Sequence, residues 1–362
     1  MSINNAKYQV IKQKIKNNIL SGKYQIKDKL PTESFFMSEF AVSRFTIRRA
    51  IDELVNENFV HRVQGDGMYV ADWHQSNKAD GNSQMIAVIT THLADYIFPK
   101  IINSLDNAVS DAGYSLILAN THNDPKRERN SLLRLLKLKP AAWIIEPTKS
   151  AVNTENIDLY HQIEKLKAPA LFINSSYPGI NFPVLKTDDF GSIFKATNYL
   201  FSIGHRRIIG VFQIDDNQGI DRMNGFSKAY LGQPYFSDQS TIIMYKSTDR
   251  YEDVFKRITQ FYNSQIVNKP DAIICYNDEF ALYLMSNLKD EGWKIPEDIS
   301  IVGFDDFEMS RYITPTLTTL THPKSQMGRD AGTMILKMIN KEKVASYTYV
   351  PELVLRKSIK PI

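Results

Sequence analysis

The chain predicts two domains of different class: a small α+β head of three helices and a β-hairpin, and a larger α/β body of two lobes built on doubly wound parallel sheets. Three observations carry this. The 362 residues exceed one ordinary domain. The text turns polar and small at Trp73-His74-Gln75-Ser76-Asn77-Lys78-Ala79-Asp80-Gly81-Asn82-Ser83-Gln84, the composition of a linker. From Met85 onward, short β-rich runs alternate with amphipathic helical stretches, which argues for parallel sheets covered on both faces by helices. The expected boundaries are a head at 1–72, a linker at 73–84 and a body at 85–362, with the chain crossing between lobes near 184–188 and 312–318.

In the head, Tyr8, Ile11, Ile15 and Ile19 fall at helical spacing and predict a first helix from about Lys7 to Leu20, ended by Gly22. Pro31 fixes the chain before Thr32, a cap for a second helix over 33–40. Ala41-Val42 make a turn, and Ser43 caps the third helix. In that helix Ile47, Ala50, Ile51 and Leu54 share one arc and must face the core. Phe45, Arg48 and Arg49 lie opposite, flanked by Arg44 and Thr46. A helix fits the DNA major groove and reads base edges with its first turn. Arginine matches guanine through two parallel hydrogen bonds, Phe45 can pack on a thymine methyl, and Ser43 and Thr46 suit phosphate oxygens. The run Phe59-Val60-His61-Arg62-Val63-Gln64-Gly65-Asp66-Gly67-Met68-Tyr69-Val70 reads as two strands around a glycine turn, a hairpin wing.

Charge agrees with a polyanion partner for the head. Residues 1–72 hold eleven Lys or Arg against eight Asp or Glu, whereas the remaining 290 hold 33 against 32. The lone cysteine, Cys275, sits in an apolar run and reads as a core residue of a reducing compartment. No apolar run reaches the ~20 residues of a membrane helix, and the first residues lack an apolar signal core, so a cytoplasmic location without membrane association is expected.

The body's strands are expected at 85–90, 115–119, 143–146, 170–174, 208–212, 242–245, 272–276 and 299–304, with helices such as 97–112, 190–203 and 279–291 between them. No His-Glu-x-x-His, Gly-x-Ser-x-Gly, P-loop or cysteine pair occurs, so no catalytic residue, metal ligand or cofactor is assigned and a binder is expected rather than an enzyme. Open α/β sheets take ligands beyond the carboxyl ends of their strands. There the chain places Asp95-Tyr96-Ile97-Phe98, Glu146, Asn277-Asp278 and Asp305-Asp306, while Arg222 opens another helix. Carboxylates accept hydroxyl protons, Arg and Asn donate, and an aromatic ring covers C–H faces, a set suited to a sugar. Plainer readings stand beside these: Asp278 and Asp305 as helix caps, Arg222 on the surface, Tyr96 and Phe98 in the core, His322 as a satisfied loop histidine.

The head resembles the GntR family of winged helix-turn-helix regulators through Leu30-Pro31-Thr32-Glu33, Val42-Ser43-Arg44-Phe45-Thr46-Ile47-Arg48-Arg49-Ala50 and Gly65-Asp66-Gly67-Met68-Tyr69-Val70, with Met68 where the family has a hydroxyl residue. The resemblance implies DNA contacts from Arg44, Thr46 and Arg48, Gln64 and Gly65 at the wing tip, and Lys7 on the backbone; Glu33, Ser43 and Phe45 complete the candidate set. The body resembles LacI-type effector domains, which share the fold of periplasmic sugar-binding proteins. Its marks are Arg222-Met223-Asn224-Gly225-Phe226, Asn277-Asp278-Glu279-Phe280-Ala281-Leu282, Ile295-Pro296-Glu297-Asp298-Ile299-Ser300-Ile301-Val302-Gly303-Phe304-Asp305-Asp306 and Pro315-Thr316-Leu317-Thr318-Thr319. That resemblance implies effector contacts from Arg222, Asn277, Asp305 and His322, with Tyr96 and Glu146 carried over from loops that vary with ligand. A GntR head on a LacI-type body resembles the arabinose-responsive repressors of Gram-positive bacteria, which implies L-arabinose as effector, a palindromic DNA operator and a homodimer. Another sugar or small polar ligand, or a sugar-binding transport component, is the alternative reading.

Overall fold

The computed structural model describes residues 4–57, 59–63, 66–71, 83–152, 155–233 and 240–362. Two compact units divide the chain, Met1–Asn82 and Ser83–Ile362. Gln64, Gly65 and most of the expected linker lie outside the described residues.

The head contains α1 (Asn4–Leu20), α2 (Glu33–Phe40), α3 (Arg44–Asn56) and the antiparallel strands β1 (Val60–Val63) and β2 (Gly67–Val70). Its boundaries follow from local chemistry. Thr32 accepts from the Phe35 N–H and Ser43 from the Thr46 N–H, so each of the two short helices begins on a side-chain cap. Ala41 takes φ 50°, ends α2 in the left-handed region and lets α3 leave at a new angle. Tyr8, Ile11, Ile15 and Ile19 of α1 bury against Ile47, Ala50, Ile51 and Leu54 of α3, forming one core with Phe36, Val60 and Val70. Met68 is buried in that core as well, so the residue that replaces a hydroxyl serves packing.

The body is two six-stranded sheets. The first lobe carries β3 (Met85–Thr90), α4 (Phe98–Ser110), β4 (Ser115–Asn120), α5 (Pro125–Leu138), β5 (Ala142–Ile145), α6 (Ile157–Lys165), β6 (Ala170–Ile173) and β7 (Val184–Thr187). The second carries α7 (Asp189–Ser202), β8 (Ile208–Gln213), α8 (Asn217–Leu231), β9 (Thr241–Tyr245), α9 (Tyr251–Ser264), β10 (Ala272–Cys275), α10 (Asp278–Asp290), β11 (Ser300–Asp305) and β12 (Thr318–Thr321). The chain then returns: α11 (Lys324–Ile339) and β13 (Tyr347–Tyr349) join the first lobe, and β14 (Leu353–Val354) joins the second. Strand orders are β13-β7-β6-β5-β3-β4, all parallel, and β14-β12-β11-β10-β8-β9, parallel except for the β12–β14 pair. The central strands β3, β5, β10 and β11 are nearly continuous apolar runs, as parallel strands buried on both faces must be.

The eight expected body strands are all present within a residue or two, and four more were not anticipated: β7, β12, β13 and β14. The lobe crossings need correction. The first follows β7. The second does not fall at 312–318, which stays with the second lobe, where the Leu317 N–H bonds the Ser310 carbonyl; it falls at His322-Pro323, and a third lies between β13 and β14. The physical reason is packing: Gly328 and Gly332 let α11 sit on α4, where a Cβ would stand 2.3 Å from the Ile101 carbonyl and 2.6 Å from Ala108.

Candidate functional site

The head presents a charged face. Phe45 is 74% exposed at the start of α3, an unusual position for a large apolar ring. Arg44 and Arg48 lie one turn apart, and Glu33 of α2 holds both: Arg48 Nε donates to its two oxygens at 3.0 and 3.2 Å, and Arg44 Nε donates at 3.1 Å. Glu33 thus aims two arginines in one direction, and its own carboxylate faces the helix rather than outward. Lys7 is exposed on α1. Two expectations shift. Thr46 is buried, with its hydroxyl 3.0 Å from that of Ser43, so the pair stiffens the helix start instead of lying open at its flank. The Arg49 guanidinium lies 4.1 Å from the Tyr8 ring centre and packs against α1.

In the body a cleft of about 780 Å³ opens between the lobes, and Tyr96, Glu146, Arg222, Asn277 and Asp305 all line it. Arg222 arrives there because Gly225, one turn on, lets α8 approach α7 until a Cβ would be 2.2 Å from the Phe190 carbonyl. Its guanidinium is 1% exposed, donates to Asp189 at 2.8 Å and to the Tyr276 carbonyl at 2.6 Å, and lies 3.6 Å from the Phe304 ring centre. Asp305 stands 3.9 Å from the far nitrogen of Arg222. Burial pushes the Asp189 carboxyl up to about 6, with Arg222 holding it from going further. Asn277 caps α10, accepting from the Phe280 N–H at 2.9 Å, which leaves its amide group to offer a ligand. Asp278, the neighbouring acid, is fully buried and fastens the turn beyond β11: it accepts from the Phe307 N–H at 2.7 Å and the Ser310 and Thr319 hydroxyls at 2.8 and 2.5 Å. Gly303 makes room for it, since a Cβ there would meet an Asp278 oxygen at 2.1 Å.

Glu146 is buried beneath the first lobe's rim, accepting from the Thr91 N–H and hydroxyl at 2.9 and 2.6 Å and from Asn174 at 2.8 Å; burial raises its carboxyl above the usual range. Tyr96 departs from its expected role of covering a sugar face. It takes φ 55°, its hydroxyl donates to Asp305 at 2.5 Å and accepts from the Asp278 N–H at 3.1 Å, and so it bolts the first lobe to the second. A second bridge joins Asn217 to Ser150 at 2.9 Å and to Ser175 at 3.2 Å. His322 also needs correction: it does not line this cleft but stands behind it, with Nε2 3.3 Å from the Asn174 oxygen. Because Asn174 uses its amide on Glu146, His322 must carry its proton on Nε2, and burial pushes its pKa down to about 4.

Sequence reasoning missed Asp189, the partner of Arg222, because β7 was not recognised as a strand; the strand-end rule applied there would have found it. It also passed over Asp216, which caps α8, accepts from the Tyr276 hydroxyl at 2.6 Å and lines the cleft, its carboxyl pushed up by burial to about 6.

Residues 7–70 match the bacterial regulatory proteins of the gntR family, and residues 197–359 match the periplasmic binding protein-like domain. The arabinose metabolism transcriptional repressor of Geobacillus stearothermophilus is 36% identical over 359 residues, covering 98% of each chain. The protein of that name from Halalkalibacterium halodurans is 36% identical over 361 residues, covering 97% of this chain and 96% of its own. The chain belongs to the family of arabinose metabolism transcriptional repressors. It is a sugar-responsive transcriptional repressor whose partners are DNA at the head and a sugar at the body. The body's fold is also that of a LacI family regulator from Silicibacter pomeroyi, TM-score 0.66 and 24% identity over 76% of this chain and 99% of that one. Among the described residues no helix is long and apolar enough to cross a membrane.

Proposed function

We propose that this repressor binds a palindromic operator as a homodimer in the cytoplasm, is released by L-arabinose in the inter-lobe cleft, and performs no catalysis. The observation that carries the sugar reading is the convergence of the buried Glu146, Arg222, Asn277 and Asp305 and the half-buried Asp216, acceptors and donors from both lobes, onto one cavity. Such a set exchanges hydrogen bonds with the adjacent hydroxyls of a free sugar. L-Arabinose in particular is supported by the names of the two near-full-length relatives. Arg222 and Asp305 are the principal effector contacts, with Asn277 donating and Glu146 accepting; Tyr96 and His322 act on lobe closure and on Asn174. At the head, Arg44 and Arg48 read bases, Phe45 packs on a methyl, Lys7, Gln64 and Gly65 touch the backbone or groove, and Glu33, Ser43 and Thr46 hold the reading helix in shape.

Sugar that binds one arrangement of the lobes better than the other shifts the repressor by that difference in affinity and no more. A coupling of ~1–3 kcal/mol weakens operator binding roughly 5- to 150-fold. The test is a titration of L-arabinose against the repressor on an operator selected from random duplexes, with other pentoses and hexoses beside it. Operator affinity that is unchanged at saturating L-arabinose would overturn this reading, and a larger response to another sugar would reassign the effector.

A further inference from the structure

Lys324 breaks a local rule. It is the first residue of α11, where the helix dipole disfavours a positive charge. Its ammonium is partly buried and donates to two main-chain carbonyl oxygens, those of Asp305 and Asp306, the second at 3.0 Å. These two residues have φ 106° and 45°, successive left-handed conformations that L residues hold only when their surroundings impose them. The bend separates their side chains. Asp305 faces Arg222 and Tyr96 in the cleft, while Asp306 turns to Arg311 at 2.6 Å and to Arg356. The lysine comes from a helix packed on the first lobe, and the bend ends a strand of the second. Lys324 is not among the residues lining the cleft.

We propose that Lys324 is a positioning residue of the effector site: it holds the left-handed bend at Asp305-Asp306, keeps the Asp305 carboxylate aimed into the cleft, and ties that aim to the angle between the lobes. This rests on the reading of the cleft as the sugar site. A violation of the dipole rule at that spot is then compensated by function, since the charge that α11 tolerates poorly is used by a strand of the other lobe.

The experiment uses the full chain, with L-arabinose affinity measured by calorimetry and sugar-free operator affinity by fluorescence anisotropy. Lys324→Met keeps the stem and removes the donors. L-Arabinose affinity is expected to fall at least about tenfold, the loss corresponding to one charge-assisted hydrogen bond, while the variant still binds the operator in the absence of sugar. Lys324→Gln, which retains a shorter donor, is expected to fall between the two and serves if Lys324→Met does not fold. In an Asp305→Asn background, Lys324→Met is expected to cost little further affinity, because both act on one carboxylate; a purely structural lysine would give additive losses. Wild-type chain that binds no L-arabinose would overturn the sugar reading and this inference with it. Wild-type binding with unaltered affinity in the lysine variants, or additive losses in the double variant, would overturn the inference alone.

Discussion

Asp189→Asn probes how the cleft tolerates a buried guanidinium. Arg222 is 1% exposed and cannot lose its proton, so its charge must be balanced where it stands. Asp189 accepts from it at 2.8 Å, whereas Asp305, its other acidic neighbour, is 3.9 Å away. The amide keeps a hydrogen-bond acceptor but removes the close charge. Two effects oppose. The desolvation that pushes the Asp189 carboxyl up to about 6 is relieved, and Arg222 loses its best counter-charge. Removal of one partner from a buried pair costs ~3–5 kcal/mol, and the retained hydrogen bond places this variant near ~3 kcal/mol. For a unit of this size that is a drop in melting temperature of roughly 6–12 °C, readable by calorimetry. The double variant Asp189→Asn/Arg222→Met should recover much of the loss, since an apolar replacement of a whole buried pair is close to neutral. It should nevertheless bind no sugar, having lost the donor. A single variant within about 1 kcal/mol of wild type, or a double variant no more stable than the single, would refute the assignment of Asp189 as the balancing charge.

Four further outcomes are expected. Gly225→Ala should destabilise the body by ~1–3 kcal/mol in urea titrations and weaken sugar binding, because its methyl would meet the Phe190 carbonyl at 2.2 Å and push α8 off α7. Asp305→Ala should abolish induction while sparing operator binding; repression that L-arabinose still relieves would remove Asp305 from the site. Arg48→Ala should cost ~1–3 kcal/mol of operator affinity and relax preference at one base pair, whereas a loss uniform over all sequences would make Arg48 a phosphate contact. His322 gives a pH dependence. Its folded pKa, about 4, lies below the unfolded value, so its contribution is intact above the unfolded value and fades as pH falls toward 4. Between pH 7 and pH 5 that amounts to about 2 kcal/mol, and His322→Gln should lose correspondingly less stability over the same interval.

Much of the molecule is determined by the order of its residues. The caps at Thr32 and Ser43 and the apolar arc of α3 are decisions made within one turn of helix, so the head was legible at the level of single residues. The eight expected body strands were legible as apolar, β-rich runs, most of them buried on both faces, and the more polar text of β7, β12, β13 and β14 is why these escaped. The tertiary structure alone decided which polar residues meet. Asp189 and Arg222 are separated along the chain by nearly all of α7, the strand β8 and the first turn of α8, and they pair only because Gly225 brings α8 against α7. Tyr96 and His322 are aromatic residues near strand ends, and nothing local distinguishes a ring that covers a ligand from one whose hydroxyl bolts the lobes together or one that stands behind an asparagine. Local capping and periodicity are short-range energies written in neighbouring residues; the cleft is an arrangement of distant strand ends, fixed only when the two sheets close and each buried charge finds its partner.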